Sequence, residues 1–136
     1  MRILILLLAL LIPLQVLALE DADRGAMRSV VERQIDAFRR NDAEAAYSFA
    51  APSIQALFPA PDRFMSMVRE SYAPVYRPRS YAFGKAMNTG GVPAQLVKII
   101  DERGEAWSAL YSFERQPDGS WLITSCQLLK DPEESA

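Results

Sequence analysis

AQLVKIIDERGEAWSALYSFERQPDGSWLITSCQLLK, residues Ala94 to Lys130, reads as three consecutive β-strands joined by two five-residue turns. The turns are Asp101-Glu102-Arg103-Gly104-Glu105 and Gln116-Pro117-Asp118-Gly119-Ser120. Each has Gly in fourth place, and the second also has Pro in second place. This is the pattern of a type I turn closed by a glycine bulge, and such a loop fixes the strand register. Asp101 is expected opposite Glu105, and Gln116 opposite Ser120. Counting outward sets Ile99 against Trp107, Val97 against Ala109 and Gln95 against Tyr111. In the second hairpin it sets Phe113 against Ile123, Tyr111 against Ser125 and Ala109 against Gln127. Side chains alternate along a strand, so the odd-numbered ones share a face. That face carries Val97, Ile99, Trp107, Tyr111, Phe113, Trp121, Ile123 and Leu129, with Gln95, Ser125 and Gln127 among them. So much apolar surface requires a cover.

The residues upstream supply one more strand and the cover. Ser80 to Asn88 alternates Tyr81, Phe83, Lys85 and Met87 against smaller residues, a fourth strand that turns into the others through Thr89-Gly90-Gly91-Val92-Pro93. Before it, Pro74 and Pro78 predict an extended crossing segment. Farther upstream, Glu20 to Gly25 reads as a polar lead-in. Met27, Val30, Val31, Gln34, Ile35 and Phe38 then recur at three- and four-residue spacing, which predicts a helix from Ala26 to Arg40. Asn41-Asp42 ends it, with Asp42 as N-cap of a second helix from Ala43 to Ala50. Ser53 is expected to cap a turn through Ile54, Leu57 and Phe58. A third helix, from Asp62 or Arg63 to Tyr72, presents Phe64, Met67, Val68 and Tyr72 on one side. Helices first and strands second is an α+β layout. The expected architecture has the N-terminal helices packed in the concave face of a curved four-stranded antiparallel sheet, a cone.

Ahead of the domain, Met1-Arg2 precedes an apolar run from Ile3 to Leu19 broken only by Pro13 and Gln15, and Val16-Leu17-Ala18 offers a cut site after Ala18. These features predict a signal peptide over residues 1–18, a domain over 19–130, a tail over 131–136, and a periplasmic or secreted protein. The only membrane contact expected is through the leader before cleavage. Removing the leader takes away Arg2 and moves the net charge from −2 to −3. A mildly acidic chain without basic blocks argues against nucleic acid as a partner. The single cysteine, Cys126, excludes an internal disulfide framework, and its place on the even-numbered face reads as a small buried hydrophobe.

Two resemblances follow from particular stretches. Val30-Val31-Glu32-Arg33-Gln34-Ile35-Asp36-Ala37-Phe38-Arg39-Arg40-Asn41-Asp42 resembles the first helix and turn of the nuclear transport factor 2-like superfamily, and Pro117 to Ile123 resembles its last hairpin. Val75-Tyr76-Arg77-Pro78-Arg79-Ser80, and Ala109 through Trp121, are similar to an exported bacterial family known as domain of unknown function 4864. The superfamily resemblance implies the cone fold. It implies no activity, because the fold hosts isomerases, dehydratases, binding proteins and dimerisation modules alike.

For chemistry, the register expects Gln95, Tyr111 and Ser125 in one polar row inside the cone, with Gln127 a step away. An acid–base enzyme of the ketosteroid-isomerase or dehydratase kind would need a carboxylate opposite such donors. The odd face offers only Asp101, at a hairpin end, and the chain has no His. Glu32 and Asp36 face away from the apolar stripe of their helix and read as solvated. Without His and with one Cys, the sequence calls for no metal and no cofactor. Tyr72, Tyr76, Arg77 and Arg79 form a second candidate cluster, suited to receiving a carboxylate or phosphate, or to pairing with acidic residues of the helices. The preferred reading is a non-catalytic module that binds a small apolar or anionic molecule or makes a protein contact. On the outer face, Leu96, Ile100, Leu110, Leu122, Cys126 and Leu128 form an apolar strip through which two copies are expected to pair.

Overall fold

Both five-residue turns form as their glycines require. Gly104 and Gly119 have φ of +83° and +88°, values that glycine adopts at little cost. Asp101 N donates to Glu105 O at 2.9 Å, and Gln116 N to Ser120 O at 2.8 Å. The computed structural model describes residues 20–132. The leader expected over residues 1–18, and the end of the tail, lie outside the described residues. Four strands, β1 (Ser80–Thr89), β2 (Val92–Ile100), β3 (Ala106–Arg115) and β4 (Trp121–Lys130), form one antiparallel sheet in chain order. It is curved and does not close. The helices are α1 (Asp21–Arg39), α2 (Ala43–Ser48), α3 (Pro52–Leu57), α4 (Pro61–Ser71) and α5 (Ala73–Tyr76). The fold class is therefore α+β, with N-terminal helices against one face of the sheet. Met27, Val31, Ile35 and Phe38 of α1 and Phe64 and Val68 of α4 meet Val97, Ile99, Tyr111, Phe113 and Ile123 in one core. Each large side chain buried there contributes about 2–3 kcal/mol before entropy.

The register between β2 and β3 is the expected one throughout, with Gln95 against Tyr111, Val97 against Ala109 and Ile99 against Trp107. Between β3 and β4 it holds only as far as Phe113 against Ile123. Beyond that point Thr124 is an extra residue, and Ser112 pairs with Ser125, Tyr111 with Cys126 and Ala109 with Leu128. A bulge of this kind turns every later side chain to the opposite face. Cys126 and Leu128 therefore pack against the core, whereas Ser125, Gln127 and Leu129 are exposed. This corrects the expected polar row and shortens the outer apolar strip to Leu96, Ile100, Leu110 and Leu122. Leu129, 65% exposed, joins the outer face from the odd set.

β1 has a bulge of its own. Phe83 pairs with Val97 and Ala86 with Gln95, so Gly84 and Lys85 together stand opposite Leu96. Gly84 lies under Leu96: a Cβ there would sit 3.2 Å from Leu96 Cδ2. Glycine lets the kinked backbone approach the neighbouring strand.

Three local expectations change in the helical half. The segment from Glu20 to Gly25 is not a lead-in, because α1 starts at Asp21. Its first turn is polar because it is largely exposed, and Asp21 and Asp23 suit the positive end of the helix dipole. The proline segment is not fully extended either: Ala73 to Tyr76 forms a helical turn with Pro74 in its first turn, where a missing N–H costs nothing. α3 is capped at Ala51 with Pro52 in its first turn, so Ser53 lies inside the helix and makes no cap. Asp42 caps α2 as expected, its side chain accepting from Ala45 N at 3.1 Å. Glu32 and Asp36 are exposed, and Asp36 pairs with Arg40 at 2.9 Å. Asp131, expected to open the frayed tail, is held by Lys98 Nζ and Ser108 Oγ, each at 2.6 Å.

Candidate functional site

The bulge at Thr124 and the stand-off of α3 and α4 from the sheet leave a cavity of about 430 Å³ between the helices and β3–β4. α1 contributes Gln34 and Phe38, both buried. α4 contributes Phe64, Met67 and Val68, the spacing that puts one helix face toward a common point, with Ser71 and Tyr72 at its end. Ile54, Leu57 and Phe58 close the side formed by α3. The sheet supplies Tyr111 and Ile123 through Cys126.

α3 has no buried residue, and it is fastened mainly by a neighbouring tyrosine. Tyr47 Oη donates to Phe58 O at 2.7 Å and lies 3.3 Å from Gln55 O, while Gln55 Nε2 donates to Tyr47 O at 3.1 Å. The segment before it is strapped to the sheet. Ala51 N donates to Ile123 O at 2.8 Å, and Ile123 N donates to Phe49 O at 2.9 Å.

Tyr111 is the most buried polar residue of the wall. It is 1% exposed, its ring stacks on Phe113 at 6.4 Å, and its hydroxyl has no hydrogen-bond partner among the described residues. The Cys126 thiol lies beside it without completing a hydrogen bond of good geometry. Burial pushes the Tyr111 hydroxyl well above the usual phenol range, with Cys126 adding to the effect. Burial likewise pushes the Cys126 thiol up to about 12, although the Tyr111 hydroxyl draws it partly back. Both stay protonated at neutral pH, so the wall carries no charge: its lining includes no Asp, Glu, Lys or Arg. Gln34 spends its amide N–H on Ala46 O at 3.1 Å.

The other sequence-stretch candidates scatter. Tyr72 reaches the cavity. Gln95 is fully buried beside Tyr111 but does not line it; its Nε2 donates to Gly84 O at 2.9 Å and Leu96 O at 2.8 Å. Gln95 thus supplies the donor that a backbone carbonyl at the β1 bulge needs. Ser125 touches the cavity only at its exposed rim, and Gln127 is on the outer face. Tyr76, Arg77 and Arg79 do not line it. Tyr76 Oη and Arg77 Nη2 both donate to Asn41 Oδ1, at 3.0 and 2.6 Å, and the Arg77 guanidinium lies 4.7 Å from the Tyr76 ring centre. Arg79 Nη2 donates to Glu102 O at 2.7 Å. The arginines tie the crossover down as one expectation had it, but through neutral oxygens rather than carboxylates. The cavity residues the sequence reading missed are Gln34, Cys126 and the α3 side chains. A cysteine between two polar neighbours was a usable signal for Cys126, since free cysteine is among the most buried residue types.

Among the described residues no group of three or more His, Cys, Asp or Glu is placed to hold a metal ion. No curated protein and no solved structure matches the chain. One family model does, over residues 20–136, and its description is domain of unknown function (DUF4864).

Proposed function

We propose, for a chain that belongs to the DUF4864 family, that it is an exported, non-catalytic domain holding a small apolar molecule between its helices and its sheet. The observation that carries this reading is the cavity between the helices and the sheet, whose lining is mostly apolar and holds no charged residue. The volume falls within the range of small-molecule sites. The wall's lack of a carboxylate supports binding over the isomerase or dehydratase alternative, which needs a base there. The anionic option drops out of the proposal because Arg77 and Arg79 are engaged elsewhere.

The helix-then-sheet order and the curved open sheet support placing the chain with the nuclear transport factor 2-like cones. Export belongs to the proposal through the leader. No helix of the described residues is long and apolar enough to cross a membrane. Nile red titrated into the mature protein tests the binding reading. Saturable fluorescence that Met67→Trp suppresses, by filling the space between α4 and the sheet, supports it. Fluorescence that rises linearly in both proteins overturns it.

A further inference from the structure

We infer that the molecule held in the cavity is an uncharged, largely apolar alcohol whose hydroxyl donates its proton to Gln34 Oε1. The inference rests on the binding reading above and specifies its ligand.

Three observations lead there. The first is the state of the Gln34 amide. Its Nε2 donates to Ala46 O at 3.1 Å. A carbonyl oxygen only accepts, so this bond fixes which end of the amide is nitrogen and which is oxygen. Among the described residues nothing donates to Oε1. Gln95, the other buried glutamine, differs: its Nε2 serves Gly84 O and Leu96 O, and Arg28 Nε approaches its Oε1 at 3.5 Å. The second is access. Among the described residues, Tyr111 Oη alone is a buried side-chain polar atom both unpartnered and sealed from solvent. Gln34 Oε1, unpartnered and not sealed, is therefore within reach of a water-sized group. The residue is 4% exposed and lines the cavity, so the approach is from the cavity.

The third is the chemistry around it. Gln34 interrupts the buried stripe of Val31, Ile35 and Phe38 on α1. The tie to α2 uses only the nitrogen end, and the oxygen is an acceptor with two lone pairs set among apolar neighbours. The hydroxyls of Ser71, Ser125, Tyr72 and Thr124 are exposed or half-buried, so water serves them. None of the lining residues is Asp, Glu, Lys or Arg. A carboxylate there brings no proton to donate, and an ammonium group loses its hydration without meeting an opposite charge. An alcohol brings the donor without the charge, and its apolar frame fills the remaining space.

Five compounds on one ring frame test this: tetralin, 1-tetralol, 1-tetralone, 1-methoxytetralin and 1-aminotetralin. Each is titrated into the mature protein by calorimetry and in competition with Nile red. The ketone and the methyl ether keep the oxygen of the alcohol and lose its proton. One hydrogen bond of about 1.4 kcal/mol is tenfold in affinity. The alcohol should therefore bind about tenfold tighter than the ketone and the ether, and the protonated amine should bind more weakly than the alcohol. Gln34→Met keeps the length of the side chain and removes the acceptor. In that variant the alcohol's advantage should vanish while tetralin is still bound. Equal binding of the alcohol and either donor-free oxygen compound by the wild type would overturn the inference and leave the cavity a binding site. So would tightest binding by the amine, or an alcohol preference that survives in Gln34→Met. Absence of saturable binding by all five compounds and by Nile red removes the binding reading itself, and this inference with it. The ketone is smaller than the alcohol and the ether larger, so the wild-type comparison separates hydrogen bonding from size even where the variant is unstable.

Discussion

Tyr111 concentrates the residue-scale argument. Its position on the inner face follows from turn chemistry alone, because the five-residue loops fix the register of β2 against β3. Its lack of a partner does not follow from anything local. The residue expected opposite it was Ser125, a possible hydrogen-bond partner, and the residue found there is Cys126. The consequence reverses the usual sign for loss of a tyrosine hydroxyl. Tyr111→Phe deletes a group that is hydrated in the unfolded chain and unpaired in the folded one, so the ligand-free variant should be more stable, by about 1 kcal/mol. Urea denaturation of both proteins measures this, and a variant less stable than the wild type would show that the hydroxyl has a partner after all. The arginines fail to mark the site for a related reason. Arg77 finds Asn41, 36 positions away, and which oxygen a long side chain reaches is settled by the packing of α5 against the α1–α2 corner.

Among the elements, the first hairpin carries a charge that makes its stability depend on pH. Partial desolvation raises the Asp101 carboxyl, but the Trp107 indole N–H and the backbone N–H groups of Glu105 and Arg103 outweigh it, and the net shift is downward. A carboxyl whose folded value lies below its unfolded one, near 4, stabilises fully above that pH and loses its contribution as pH falls through the folded value. Asp101→Asn should therefore cost about 1 kcal/mol at neutral pH, a figure kept small by the group's exposure. The gap to the wild type should close below roughly pH 4. Denaturation curves at pH 3 and 7 test this; a gap of equal size at both would assign the loss to shape rather than charge. α3 offers a second measurement. With no buried residue and a tyrosine for its fastening, Tyr47→Phe should speed amide exchange across residues 52–58 well before the core strands respond. Strand β4 shows where sequence legibility ends. Leu122-Ile123 and Leu128-Leu129 are adjacent apolar pairs, so either register puts one leucine or isoleucine of each pair inward. Period-two alternation cannot choose between them, and the bulge at Thr124 goes unseen.

At the scale of the whole molecule, the order of the strands, the fold class and the packing of helices on the odd-numbered face of β2 and β3 were all readable. They depend on periodicities that repeat over many residues. The cavity was not readable, because its volume depends on how far α3 and α4 stand from β4, which no local pattern encodes. Pairing of two copies through the outer face stays a proposal, now resting on Leu96, Ile100, Leu110, Leu122 and Leu129. The Lys98–Asp131 ion pair at 2.6 Å is another feature of the sheet it would have to accommodate. Sedimentation equilibrium should show association in the wild type that Leu110→Lys, at the strip's centre, abolishes; a monomeric wild type would end the proposal. The two bulges have a bearing on the protein outside any binding event. They interrupt β1 and β4, and these are the sheet's two borders. A border strand that runs straight offers a row of free backbone groups on which foreign strands polymerise. Here one border kinks at Gly84-Lys85 and the other at Thr124, where the Phe49–Ala51 strap also occupies it. Neither border can template a fibre over its full length, so the chain is guarded against amyloid growth.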